Sequence, residues 1–172
     1  MRKILVVVDM QNDFIDGALG TPEALAIVEN VKDKIRTYDQ ADIFVTMDTH
    51  GPDYLQTQEG RNLPVEHWIR GTEGWQLRDD IAELLTEAHI YEKPTFGSVK
   101  LAEDLSKIAA EQEIEIELIG LCTDICVSSN ALLLKACMPE VKISVDPACC
   151  AGVTPELHES ALRTMASCQI LQ

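Results

Sequence analysis

Two rhythms alternate along this chain. Short apolar, β-branched runs, each closed by a charged side chain, give way to stretches where apolar residues recur every three or four positions. Ile4 to Val8 is such a run, ended by Asp9, and it reads as a strand buried on both faces. Thr21-Pro22-Glu23 then carries a capping hydroxyl, a proline for the first helical position and an acid for the first turn. Leu25, Val28, Val31 and Ile35 supply one helix face behind it. Ile43 to Met47 is the second strand, closed by Asp48. Leu77, Ile81, Leu84 and Leu85 mark a helix, and His89 to Tyr91 opens a short strand ending near Lys93. Leu101, Leu105 and Ile108 mark the next helix, and Ile114 to Ile119, with its alternating glutamates, the next strand. Cys126 to Cys137 predicts a buried apolar helix, and Val141 to Val145 a strand closed by Asp146. Thr154-Pro155-Glu156 repeats the helix start, with Leu157, Ala161, Leu162 and Met165 on its face, and Gln169 to Leu171 fits a last edge strand.

Strand and helix alternate throughout, which predicts a three-layer α/β/α fold around an open, mainly parallel sheet. No linker or internal repeat interrupts it, so the expectation is one domain over residues 1–172. Residues 49–75 break the rhythm with Gly51, Pro52, Gly60, Pro64, Gly71 and Gly74. A loop of that length is functional or disordered. His50, His67, Trp68 and Trp75 argue for function. "DMQNDFIDG" after the first strand lacks the glycine fingerprint of dinucleotide binding, and no P-loop occurs.

Composition narrows the partners. The chain has 172 residues, 46% of them hydrophobic and 25% charged, an ordinary globular balance. Its 14 basic and 29 acidic side chains give a formal net charge of -15. Such a field repels nucleic acid and anionic membranes, while a neutral small molecule remains compatible. The apolar runs are too short to span a bilayer. "MRKILVVVDMQNDF" reads as a first strand and not as a signal peptide, because Asp9 and Asp13 interrupt it early. The 6 cysteines form no C-x-x-C, and with a cytoplasmic location expected they are expected to be reduced.

In parallel sheets, sites form beyond the carboxyl ends of the strands. Asp9, then Asp48 with His50, then Lys93, Cys126 and Asp146 all fall at such ends. Cys126 at a helix start meets free N–H groups and the positive end of the dipole, which favour thiolate. A nearby aspartate could take the thiol proton and return it to a leaving amine. Taken alone, each residue has a plainer reading: Cys126 as core filler, Asp9 as a turn former, Lys93 as a solvated loop side chain. Asp48, His50 and His67 make a reasonable ligand set for zinc, against the plainer reading of a polar loop whose histidines bridge backbone.

Several segments together resemble the isochorismatase-like hydrolase superfamily, and within it the nicotinamidase-like cysteine amidases. They are "VVDMQNDF" at 7–14, "TMDTH" at 46–50, "EHWIRGT" at 66–72, "EKPTFGS" at 92–98, "GLCTDICVSSNA" at 120–131, and "DPACCAG" followed by His158. The resemblance implies Cys126 as nucleophile, Asp9 as general acid/base and Lys93 as their support. It implies a cis peptide at Leu121-Cys122, with the backbone N–H groups of Cys122 and Cys126 holding the oxyanion. It places a divalent metal, zinc with Fe2+ or Mn2+ as alternatives, on Asp48, His50 and His67, with Glu59 as an additional candidate. Phe14, Trp68 and Phe96 become aromatic walls, with the substrate ring between Phe14 and Trp68, and Leu121 and Cys122 the base of the pocket. Asp13 and Asp124 are read as scaffold. Isochorismatases proper lack the cysteine, so its presence favours amide over vinyl ether hydrolysis. The implied reaction is hydrolysis of a small aromatic carboxamide, nicotinamide to nicotinate and ammonia first among them, by a homo-oligomer. The alternatives are an amidase for N-carbamoyl or other small amides, a non-enzymatic metal-binding relative, and, least favoured, a thiol redox protein.

Overall fold

The computed structural model describes residues 1–172. Five strands form one sheet: β1 Arg2–Val8, β2 Ile43–Asp48, β3 His89–Lys93, β4 Ile114–Leu121 and β5 Lys142–Ala151. Their order is β3-β2-β1-β4-β5, and every pairing is parallel. Consecutive residues of a strand face opposite sides of a sheet. Ile4 to Val8 and Ile43 to Asp48 are nonetheless buried without alternation. Both faces of the sheet centre are therefore covered, which is the three-layer α/β/α arrangement expected. No helix is long and apolar enough to cross a membrane.

Eight helices complete the fold: α1 Asn12–Ile15, α2 Pro22–Ala26, α3 Val28–Ile35, α4 Gln58–Asn62, α5 Asp79–Ala82, α6 Val99–Glu111, α7 Ser128–Cys137 and α8 Pro155–Ser167. Thr21 and Thr154 cap α2 and α8 with their hydroxyls, each followed by proline, as their sequences predict. The single helix expected from Thr21 to Ile35 is broken at Ile27, and Leu25 turns outward, 49% exposed. The helix expected around Leu77 to Leu85 shrinks to Asp79–Ala82, although Leu77, Ile81 and Leu85 are all buried. Apolar spacing there reports burial of turns and not a continuous helix.

β5 runs past Asp146 to Ala151, with a register shift opposite Leu118 and Gly120. Asp146 therefore lies within the strand and pairs with Lys34 at 2.8 Å, so it does not join the other strand-end residues. The last edge strand reduces to one bridge between Ser144 and Leu171. β1 lies between β2 and β4, so the chain reverses its direction of growth across β1. At this switch point Gly120 faces Val8 in register with φ at +117°, and a Cβ there would collide with the Val8 carbonyl. Only glycine suits such a close approach.

Candidate active site

Four strand ends converge at the carboxyl edge of the sheet. Asp9 follows β1 in the left-handed region, φ 49°, and its N–H donates to the Thr46 carbonyl at 3.1 Å. The register that sets Val8 beside Thr46 brings the Thr46 hydroxyl to donate to Asp9 Oδ1 at 2.7 Å. Asp9 Oδ2 lies 2.8 Å from Lys93 Nζ. Lys93 ends β3, is 2% exposed, and donates to Asp48 Oδ2 at 2.8 Å, to the Thr95 carbonyl at 3.1 Å and to Cys126 Sγ at 3.5 Å. Asp48 ends β2, and the Gln11 side chain clasps its backbone N–H and C=O. Burial opposes the Lys93 charge, but Asp9, the Cys126 sulfur and Asp48 outweigh it and its pKa rises. One ammonium thus serves two carboxylates in a water-poor site. Burial, with Asp9 adding to it against Lys93, raises Asp48.

Cys126 sits in a π-helical turn, Thr123–Val127, that joins β4 to α7. The Leu121-Cys122 peptide is cis, as the resemblance implies. Burial and the Asp9 carboxylate hold the Cys126 thiol well above its ordinary value, with Lys93 opposing. The expected thiolate from a helix start is therefore not what this environment favours. Desolvation and neighbouring negative charge outweigh the turn and favour the protonated thiol. Ionisation then needs a base, and Asp9 Oδ2 faces the same Lys93 ammonium as the sulfur.

Beside this cluster, His50, Glu59 and His67 direct ligand atoms at one another within 4.8 Å. Glu59 Oε1 lies 3.5 Å from His50 Nε2 and 3.7 Å from His67 Nε2, and Asp48 Oδ1 lies 3.6 Å from His50 Nε2. These separations are long for hydrogen bonds. They match the edge of a coordination tetrahedron, whose ligands at about 2.0–2.2 Å from zinc stand about 3.4 Å apart. Asp48 Oδ1 and His50 Nε2 are buried and have no hydrogen-bond partner. His67 Nδ1 lies 2.7 Å from the Val65 carbonyl, and a proton donated there leaves Nε2 free for a metal. The residues fit a divalent cation. Glu59, an added candidate from the sequence, stands at the centre of the set, and Asp48 stands at its edge with one oxygen committed to Lys93. Burial opposes ionisation of Glu59, and the two imidazoles overcome it and lower its carboxyl to about 2. Burial likewise opposes the His67 charge, and Glu59 and the Val65 carbonyl raise its pKa.

A cavity of about 510 Å³ opens over both clusters, lined among others by Phe14, Trp68, Phe96, Ile125, Cys122 and Cys126. Phe14 and Trp68 stack on each other with centroids 4.2 Å apart. A ring inserted between them would need about 7 Å, two van der Waals separations. The expected sandwich is corrected to a single wall made of both rings. Leu121 is fully buried and does not line the cavity; Cys122 alone forms that part of the base. Phe96, 40% exposed, lines the mouth. Asp13 accepts the Trp68 N–H at 2.8 Å, and Asp124 accepts the Val153 N–H at 3.0 Å, both as scaffold.

Sequence reading missed the buried supports: Gln11, Thr46, and Asn130, which donates to the Cys126 carbonyl. It also missed the Thr123 hydroxyl against His158 Nδ1 at 2.8 Å. All three lie inside the motif segments, and Thr46 stands as a polar residue in an apolar run, but no spacing shows which groups they meet.

Residues 3–171 match the isochorismatase domain family. An uncharacterized isochorismatase family protein, PncA, of Bacillus subtilis is 31% identical over 180 residues, 97% of this chain and 96% of its own. The crystal structure of nicotinamidase/pyrazinamidase PncA from Bacillus subtilis superposes with a TM-score of 0.83 at 28% identity, over 99% of this chain and 98% of that one. The pyrazinamidase of Pyrococcus horikoshii in complex with zinc gives 0.79 at 28%, over 99% and 98%. The N-carbamoylsarcosine amidase of Thermoplasma acidophilum gives 0.75 at 28%, over 96% and 94%. With a buried acid, amine and thiol meeting beside a cavity on this frame, the chain belongs to the isochorismatase-like hydrolase superfamily and is similar to its nicotinamidase and pyrazinamidase members.

Proposed function

We propose that this chain, acting as one hydrolase domain, cleaves a small neutral aromatic carboxamide through a Cys126 thioester, with nicotinamide to nicotinate as the leading reaction. The observation that carries it is the contact of one buried ammonium, Lys93 Nζ, with Asp9, Asp48 and Cys126, directly behind the cavity that Cys126 lines. Asp9 takes the thiol proton, and the sulfur attacks the amide carbon. The backbone N–H groups of Cys122 and Cys126 hold the oxyanion. Asp9 then gives its proton to the departing ammonia, and later draws one from the water that frees the acid. Lys93 stays protonated throughout and holds Asp9 and the sulfur in register. Thr46 anchors the other Asp9 oxygen, so that Oδ2 is the one left for proton transfer.

Phe14 with Trp68 on one side, and Phe96 at the mouth, suit a flat ring. His50, Glu59 and His67, with Asp48, would hold a divalent metal, zinc before Fe2+ or Mn2+. Such an ion supplies a Lewis-acid anchor for a ring heteroatom. Among the groups lining the cavity there is a carboxylate, Glu59, but no arginine or lysine. A substrate bearing its own carboxylate, such as an N-carbamoyl amino acid, would find no cation there apart from the metal that anchors the ring, and this favours a neutral amide.

Ammonia release from nicotinamide, pyrazinamide and N-carbamoylsarcosine tests the order of preference. Acid-quenched enzyme, digested and weighed, is expected to carry the acyl mass on the peptide containing Cys126. An acyl group found only on another residue, or fastest release from the N-carbamoyl compound, would overturn this reading.

A further inference from the structure

Asn130 is 1% exposed, lies on α7, and is a buried polar side chain to which neither the family resemblance nor the proposed mechanism gives a part. Its amide is fully used. Nδ2 donates to the Cys126 carbonyl at 2.8 Å and to the Phe96 carbonyl at 3.1 Å, and Oδ1 accepts the Ser98 N–H at 2.9 Å. One planar group therefore joins the backbone of the nucleophile to both sides of Gly97. The segment it grips, residues 94–98, is the cavity wall that contributes Pro94, Thr95 and Phe96. Its other end is held by Lys93 Nζ on the Thr95 carbonyl. Ser98, just beyond, caps α6 through the Leu101 N–H. The Phe96 ring is 40% exposed, so its place over the cavity depends on where its backbone is tied.

We propose that Asn130 is a positioning residue that sets the separation between the Cys126 sulfur and the Phe96 wall, and thereby the preference of the site for ring-bearing over small aliphatic amides. The preference for a ring rests on the function proposed above; the tether itself does not. Because a buried amide with all its bonds made is rigid, the wall and the nucleophile move as one body. Without it, the wall is free to shift while the sulfur remains reactive, and selectivity falls before reactivity does.

Asn130→Thr separates the two links. A helical threonine hydroxyl reaches the carbonyl four residues back, here that of Cys126, but is too short to hold the Phe96 carbonyl or the Ser98 N–H. The measurement is the site-resolved alkylation rate of Cys126, read from its peptide mass, with iodoacetamide and with its N-phenyl analogue. The expected result is that Asn130→Thr slows the N-phenyl reagent about tenfold more than it slows iodoacetamide, the size of one lost buried hydrogen bond. In a Phe96→Ala background that difference is already lost, and Asn130→Thr adds nothing to it. Equal slowing of both reagents, or the same extra loss with and without the Phe96 ring, would reduce Asn130 to a structural role and sink the proposal. Asn130→Ser, which keeps the same back-reaching hydroxyl, replaces Asn130→Thr if thermal melts show the latter unfolded. Amide turnover of the parent chain is assayed alongside. Its absence would defeat the amidase reading, whereas an unchanged reagent ratio with turnover intact would defeat only the tether.

Discussion

At the scale of single residues, the site is organised around a charge imbalance. Lys93 is the one lysine or arginine against Asp9 and Asp48, and all three are buried. Removing a partner from a buried ion cluster leaves uncompensated charge, which costs more than the pair itself contributes. Lys93→Met, which keeps the apolar stem, is therefore expected to destabilise the fold by about 3–5 kcal/mol as well as abolish turnover. Urea denaturation measures the first part; a midpoint equal to that of the parent would show that the carboxylates find another partner. The types of residue needed for this chemistry were visible in the sequence at the strand ends. The protonation state was not: a helix start argued for thiolate, whereas the folded surroundings of Cys126 favour the neutral thiol, because burial is a property of the whole packed site.

At the scale of elements, two contacts carry separate expectations. Gly120 brings β4 against β1 at the switch point, with φ at +117° and no room for a side chain. Gly120→Ala is expected to cost at least about 2 kcal/mol by forcing the strands apart beside Asp9, seen as a lower denaturation midpoint. Tyr91 on β3 donates to Asp104 Oδ2 on α6 at 3.2 Å. Burial, reinforced by the Asp104 charge, raises its phenol to about 12 from 10.0. A raised folded pKa means that the unfolded chain loses this proton first as pH climbs. The contribution is thus complete below about pH 10 and lost as pH rises from about 10 through about 12, lessened by the partial exposure of the ring. Tyr91→Phe should flatten this alkaline loss relative to the parent chain. Identical stability curves for the two proteins between about pH 9 and about pH 12 would remove Tyr91 as its source.

Across the whole molecule, the loop of residues 49–75 folds back so that His50, Glu59 and His67 meet over the ends of β2 and β3. This has an energetic consequence. A metal that binds only the assembled set adds its binding free energy to folding. Zinc at about one hundred times its Kd should stabilise the protein by about 2.7 kcal/mol. For a domain of this size that is a rise in melting temperature of about 5–10 °C. Chelator should reverse it, and His67→Ala should not show it. An equal rise in His67→Ala would place the zinc elsewhere.

Strand and helix order, the parallel sheet and the convergence of Asp9, Asp48, Lys93 and Cys126 were determined by the sequence alone. Local rhythm decides element type, and a parallel sheet sends every strand end to the same edge. The breaks at Ile27 and around Asp79–Ala82, the run of β5 past Asp146, the stacking of Phe14 directly on Trp68 and the exclusion of Leu121 from the cavity were decided only in three dimensions. So was the tether through Asn130. Each depends on which surfaces meet across the fold, and residues far apart in the chain leave no periodic trace of one another until packing brings their side chains within a few ångströms.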